Sequence, residues 1–253
     1  MKTIALINQK GGVGKTTTTI NLGAGLAELG HEVLLIDLDP QAHLTYALGL
    51  PAHELDVTVY DLLKEETPLK EVIVERAENL CVIPSSLNLS GAEMALSSVA
   101  GREFLLKEAL ETLAHEPGYI LIDCPPSLGL LTINALTAAN EVYIPVQTEF
   151  LALQGMSSLI QTVEVIQKRL NRELALGGII ATRYDNRKTL NREVVEKIRE
   201  YFGDKLFRTV IRDNVSLAEA PGHGQTIFEY RARSNGAKDF RAVCAEMVER
   251  AEK

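Results

Sequence analysis

The stretch "NQKGGVGKTTTT", residues 8–19, decides the fold. It follows a short apolar run, TIALIN (3–8), and leads into a segment with helical spacing, 16–29. A glycine-rich turn between a strand and a helix lets backbone N–H groups crowd around phosphate oxygens, and the helix N-terminus adds the positive end of its dipole. The stretch therefore reads as a phosphate-binding loop, with Lys15 reaching the terminal phosphates and the Thr16 hydroxyl on Mg²⁺. It departs from the usual G-x-x-x-x-G-K-[ST] pattern, because Gln9 stands where the first glycine belongs and a second lysine, Lys10, is beside it. Neutralising a phosphoryl-transfer transition state takes a further cation, which can be supplied in trans. A lysine on the rim of the loop can do that across a dimer interface, or it can simply stand in solvent.

Outward from the loop, short apolar runs recur: VLLID (33–37), LCVIP (80–84), YILID (119–123), VYIPV (142–146), LGGIIAT (176–182) and TVI (209–211). They are continuous rather than alternating, as strands buried on both faces of a parallel sheet are. Helical spacing fills the intervals at 16–29, where Ile20, Gly23, Ala24 and Ala27 share a face and Gly30 follows as a stop, and at 102–114, 150–170, 189–202 and 236–252. Alternating strands and helices predict an α/β fold of the P-loop NTPase type, a wound, mostly parallel sheet with helices on both faces. No repeat or linker interrupts the chain, so a single domain over 1–253 is expected.

Ligands of such sheets bind beyond the carboxyl ends of the strands, and two acidic motifs fall there. In LLIDLDPQ (34–41), Pro40 stops the strand and leaves Asp37 and Asp39 on a loop. A carboxylate at this place can position the attacking water, or the pair can cap the helix that follows. In YILIDCPPS (119–127), an apolar strand delivers Asp123 to the neighbourhood of Mg²⁺, and Pro125 and Pro126 stiffen the next loop.

Composition narrows the remaining classes. Hydrophobic residues make up 46% and charged residues 24% of 253, enough for a full core. No apolar run reaches the 18 or so residues of a membrane-spanning helix. Cys81, Cys124 and Cys244 are odd in number and far apart, which argues against a disulfide framework or zinc site and favours a reducing cytoplasm. The net charge of -8 is uneven: residues 1–167 hold 8 Lys and Arg against 21 Asp and Glu, residues 168–253 hold 18 against 13. A basic C-terminal third suits a polyanion, although charge alone favours solvated helix faces.

The three motifs together resemble the deviant Walker A ATPases, whose signature K-G-G-x-G-K-[ST] appears as KGGVGKTT, 10–17. Within that group the chain is similar to the ParA/Soj partition ATPases, through LLIDLDPQAHLT, YILIDCPPSLGLLTINALTAANEVYIPVQTEFLALQG, NVSLAEAP and GQTIFEYRARSNGAKDF. The resemblance implies a homodimer that sandwiches ATP. Lys10, Gly11, Gly12, Val13, Gly14, Lys15, Thr16 and Thr17 would then bind nucleotide, with Lys10 on the partner's phosphates. Thr16 and Asp123 would serve Mg²⁺, and Asp39 would position water. It also implies that the ATP-bound dimer binds double-stranded DNA without sequence preference, and that a ParB-like centromere-binding protein stimulates hydrolysis and release. The location implied is the nucleoid. Because the first strand starts at residue 3, the chain resembles the short type without an N-terminal DNA-reading extension.

Arg187 matches a family arginine associated with DNA binding, and Lys188 and Arg192 lie beside it where a loop enters a helix. One segment departs from the pattern. Short relatives typically read IPRNVRLSEAP, whereas this chain reads IRDNVSLAEAP (211–221), so Asp213 and Ser216 replace two basic positions, of which Arg212 can offset one, and a weakened or rearranged DNA surface is expected. The same segment passes near the adenine in relatives, which makes Thr182, Arg212 and Asp213 candidate base contacts.

Three rivals share the fold. A MinD-like division-site ATPase needs an amphipathic membrane helix at the C-terminus. Here the tail AKDFRAVCAEMVERAEK ends acidic, and its apolar face suits core packing, so no membrane partner is expected. An iron–sulfur carrier needs a cysteine pair, and only Cys124 is placed for one. A small-molecule synthetase needs a substrate pocket, and its products would go beyond ADP and phosphate.

Overall fold

The computed structural model describes residues 1–64, 67–149 and 152–251, with Gln154 by its backbone only. Seven strands form one sheet in the order β3-β4-β2-β5-β1-β6-β7. They are β1 (Lys2–Leu6), β2 (Val33–Asp37), β3 (Val74–Ala77), β4 (Leu80–Ile83), β5 (Tyr119–Asp123), β6 (Glu141–Gln147) and β7 (Ala175–Thr182). All neighbours pair in parallel except β3 with β4. The helices are α1 (Lys15–Glu28), α2 (His43–Ala47), α3 (Val59–Leu63), α4 (Leu69–Val72), α5 (Ala92–Ala95), α6 (Leu105–Glu111), α7 (Leu130–Ala138), α8 (Ala152–Arg169), α9 (Thr189–Phe202), α10 (Val215–Glu219), α11 (Ile227–Arg231) and α12 (Asn235–Ala251).

Two apolar layers sandwich the sheet, because successive strand side chains point to opposite faces. Ala5, Ile36, Ile120 and Ile144 face a core shared with α6, α7, α8 and α9. Ile4, Leu35, Leu121 and Tyr143 face the other, shared with α1, α11 and α12. The α12 residues Phe240, Val243 and Met247 are buried in this second layer, so the apolar face of the tail packs inside the molecule.

The expected sheet needs two corrections. TVI (209–211) is not a strand: Leu206 bridges Ile179 of β7 and Arg212 bridges Tyr184 just beyond it, with Phe207 and Ile211 N–H groups donating to Ile179 and Ala181 carbonyls. The seventh strand is instead β3, whose VERA sequence is only half-buried at alternate residues and gives no apolar run. The helix over 102–114 is shorter, Leu105–Glu111, while that over 189–202 is observed as expected. The first two residues of the expected 150–170 helix, and the last of the 236–252 helix, lie outside the described residues.

The register fixes the site. Leu6 and Asp37 both pair with Asp123, so the carboxyl ends of β1, β2 and β5 are level. The loop after β1 and the acidic ends of β2 and β5 therefore open on one edge of the sheet.

Candidate nucleotide site

Gly12 (φ 76) and Gly14 (φ 89) hold left-handed conformations, and a Cβ on either would meet nothing within 4 Å. The demand for glycine is thus one of backbone conformation rather than space. Gly14 caps α1 and its carbonyl accepts the first helical bond, from Thr18 N–H at 2.8 Å. The buried Val13 anchors the loop from below, its carbonyl accepting from Thr182 Oγ1 at 2.7 Å. Lys15 is 8% exposed, and its charge is near enough to Asp123 to pull that carboxyl down.

Asp123 is fully buried at the end of β5. Its two oxygens accept from Thr16 Oγ1 at 2.6 Å and from Thr19 Oγ1 at 3.3 Å. Burial, and then the charge of Asp37, push its carboxyl up to about 8, against the pull of Thr16 and Lys15. Burial likewise raises Asp37 to about 6. Three carboxylates, Asp37, Asp39 and Asp123, thus share a buried edge with one lysine, Lys15, and the local balance is short of positive charge. A hard divalent cation answers that deficit, since the Thr16 hydroxyl and Asp123 carboxylate are both oxygen donors. Among the described residues no group of three or more His, Cys, Asp or Glu side chains is arranged to hold a metal. Mg²⁺ keeps several waters and takes further ligands from phosphate, so one hydroxyl and one carboxylate are enough from the protein.

Beside the loop lies a cavity of about 450 Å³, whose lining includes Gly12, Gly14, Thr17, Thr182, Arg212 and Asp213. The three candidate base contacts are therefore together, but two of their side chains are already engaged. The Thr182 hydroxyl is on Val13, and the Arg212 guanidinium grips Asp239 through both Nε and Nη2, the latter at 2.6 Å. Arg212 consequently does not project as a replacement for the lost basic positions. Asp213 is half-exposed, near Arg183. A cleft of about 520 Å³ at the opposite sheet edge has charges that pair with one another, such as Lys2–Glu141 and Arg250–Glu246, and contains none of the loop.

Lys10 is neither bare nor free. Its ammonium pairs with Glu149, which follows β6, and Gln147 donates to the other carboxylate oxygen. Cys124 is fully buried, and burial lifts its thiol well above the ordinary range. The sequence reading did not find Glu149, Thr19 or Asp239. Each meets its partner across more than a hundred residues or, for Asp239, across 27, with no motif to flag it.

The AAA domain family matches residues 1–176. Soj, the sporulation initiation inhibitor protein of Bacillus subtilis, is 49% identical over 98% of both chains. The chromosome partitioning protein ParA of Caulobacter vibrioides is 42% identical over 99% of this chain and 95% of its own. The chain belongs to the ParA/Soj family. It is an ATP-hydrolysing enzyme of the partitioning and positioning class. Among solved structures, a Mycobacterium smegmatis cobyrinic acid a,c-diamide synthase, with bound ATP analogue and magnesium, has TM-score 0.88 and 35% identity, over 100% of this chain and 96% of that one. The septum site-determining protein MinD of Pyrococcus horikoshii, with Mg-ADP, has TM-score 0.79 and 26% identity, over 99% and 97%.

In this ParA/Soj chain the three basic candidates share one corner. Lys188 is the N-cap residue of α9, Arg187 precedes it and Arg192 is one turn in. Arg187 is 85% exposed, yet its Nε and Nη2 both donate to Asp185 at 2.9 Å. Arg192 donates to the Asn186 carbonyl and to Thr189 Oγ1.

Proposed function

We propose that this protein is an ATP-dependent DNA partition ATPase, one domain over residues 1–253. ATP and Mg²⁺ are its cofactors. Lys15 and the Gly11–Gly14 backbone bind the phosphates in cis, with Thr17 beside them. Thr16 and Asp123 serve the metal, which neutralises phosphate charge when bound. Asp39 orients the attacking water. Lys10 exchanges Glu149 for the phosphates of a second copy, closing an ATP-sandwich dimer. That dimer binds duplex DNA without reading bases, through Arg187, Lys188 and Arg192, and a ParB-like protein stimulates hydrolysis and release at the nucleoid.

The observation that carries this reading is the convergence of the left-handed glycine loop, buried Lys15 and the Thr16–Asp123 pair at one sheet edge. Identity of 42% to a chromosome partitioning protein, over 99% of this chain, favours DNA as the track over a small-molecule substrate. The test is binding to random-sequence duplex DNA with ATP, ADP or no nucleotide over a salt series. Binding should need ATP, weaken steeply with salt, and vanish in Lys15→Ala and Arg187→Glu. Absence of ATP-dependent binding at low salt, in protein that binds ATP, would sink the DNA reading.

A further inference from the structure

Around Asp39 the hydrogen bonds form a closed circuit. The Asp39 N–H donates to Asp37 Oδ1 at 3.1 Å. Asp37 Oδ2 accepts from Thr45 Oγ1 at 2.7 Å, and from the Thr45 N–H in the first turn of α2 at 2.9 Å. Thr45 Oγ1 in turn accepts from the Ser85 N–H at 2.9 Å, and Ser85 Oγ donates to the Asp39 carbonyl at 2.8 Å. Asp37, Thr45 and Ser85 are each 0% exposed, and Asp39 is 8% exposed. The circuit joins the end of β2, the helix after it and the segment after β4, and it holds both peptide groups of Asp39 from either side.

We propose that Ser85 and Thr45 are positioning residues for hydrolysis: they lock the Asp39 backbone so that its carboxylate stays aimed at the γ-phosphate side of the loop. The proposal rests on the reading of Asp39 given above. Asp39 lies two residues past the end of β2, outside the ladder that would hold it, and a displacement of about 1 Å in a reacting group can lower a rate about a hundredfold. Ser85 and Thr45 line none of the cavity beside Gly12 and Gly14, and they bond to Asp37 and the Asp39 backbone rather than to the loop. Loss of the circuit should therefore reach the chemical step while leaving ATP binding alone.

Ser85→Ala is a suitable probe because the Asp39 carbonyl keeps a second donor, the Ala42 N–H at 2.9 Å, so no buried acceptor is orphaned. ATP turnover by the full chain should show kcat reduced on the order of tenfold, with KM and nucleotide Kd within about twofold. Thr45→Val should behave likewise and Thr45→Ser, which keeps the hydroxyl, should restore the rate; thermal melting measured alongside shows that each variant is folded. A purely structural role would lower the melting temperature without this kcat-against-KM split. Asp39→Ala separates the two layers. If it is inactive while folded Ser85→Ala and Thr45→Val turn over at the parent rate, the positioning proposal is overturned. If Asp39→Ala itself hydrolyses normally, the reading of Asp39 fails first and takes this one with it.

Discussion

At the scale of single residues, Lys10 shows how a side chain can be recognised without its resting contact being visible. The signature places it on the rim of the loop, but Glu149 lies 139 residues away and no spacing rule connects them. The pair is about half-exposed on both sides, and exposed pairs are worth at most about 1 kcal/mol. A lysine held so lightly is available for exchange, and the cost of release falls on dimerisation. Glu149→Gln should accordingly strengthen ATP-dependent self-association, by up to about thirtyfold because a symmetric dimer releases two such pairs, whereas Lys10→Ala should abolish it. Sedimentation with a non-hydrolysable ATP analogue reads both. Weaker association in Glu149→Gln would mean that Glu149 supports the dimer rather than competing with it.

At the scale of elements, α1 leaves the phosphate loop into close packing. Its residues from Thr18 to Leu26 are buried nearly all round, wider than the single face that Ile20, Gly23, Ala24 and Ala27 suggest. It is wedged between β2 and α12: a Cβ on Gly23 would stand 2.5 Å from Leu35, and one on Gly25 would stand 2.6 Å from Cys244 Sγ. Gly25→Ala gains about 1 kcal/mol of helix propensity but overpacks a filled core, at about 1–3 kcal/mol. The net should be a loss of stability in urea unfolding, and Cys244→Ala should recover part of it in the double variant. Additive effects would show that α12 yields freely. The same packing explains what was legible beforehand. Strands such as VLLID and YILID are buried on both faces and read as apolar runs, and their carboxyl-end acids follow from them. The edge strand β3 was hidden by its half-solvated VERA pattern, and TVI misled because a buried segment can lie against a strand without forming a ladder. Within the site, the loop lysine, Thr16, Asp39 and Asp123 came from local pattern. The circuit through Thr45 and Ser85 did not, because it exists only once β2 and β4 are neighbours.

At the scale of the whole molecule, a chain of net charge -8 can bind a polyanion only through a local basic surface, and residues 168–253, with 18 Lys and Arg against 13 Asp and Glu, are the basic part of the chain. If Arg187, Lys188 and Arg192 each neutralise one phosphate, a dimer makes about six contacts, and log K should fall with log salt at a slope of about -5. Arg187 does not start free, however, because Asp185 holds it bidentately and the guanidinium in turn holds that carboxyl down to about 2. DNA must displace Asp185 to use it. Asp185→Asn keeps the oxygen that accepts from the Arg187 N–H at 3.0 Å, so the turn is preserved while the charge is removed. Affinity for random-sequence DNA in ATP should therefore rise severalfold with the salt slope unchanged, since the number of phosphate contacts stays the same. Arg187→Ala should instead lower the slope by about 2 per dimer, two contacts at about 0.9 each. Fluorescence anisotropy across a salt series distinguishes the two effects. An unchanged affinity in Asp185→Asn, together with an unchanged slope in Arg187→Ala, would move the DNA-binding surface away from the start of α9.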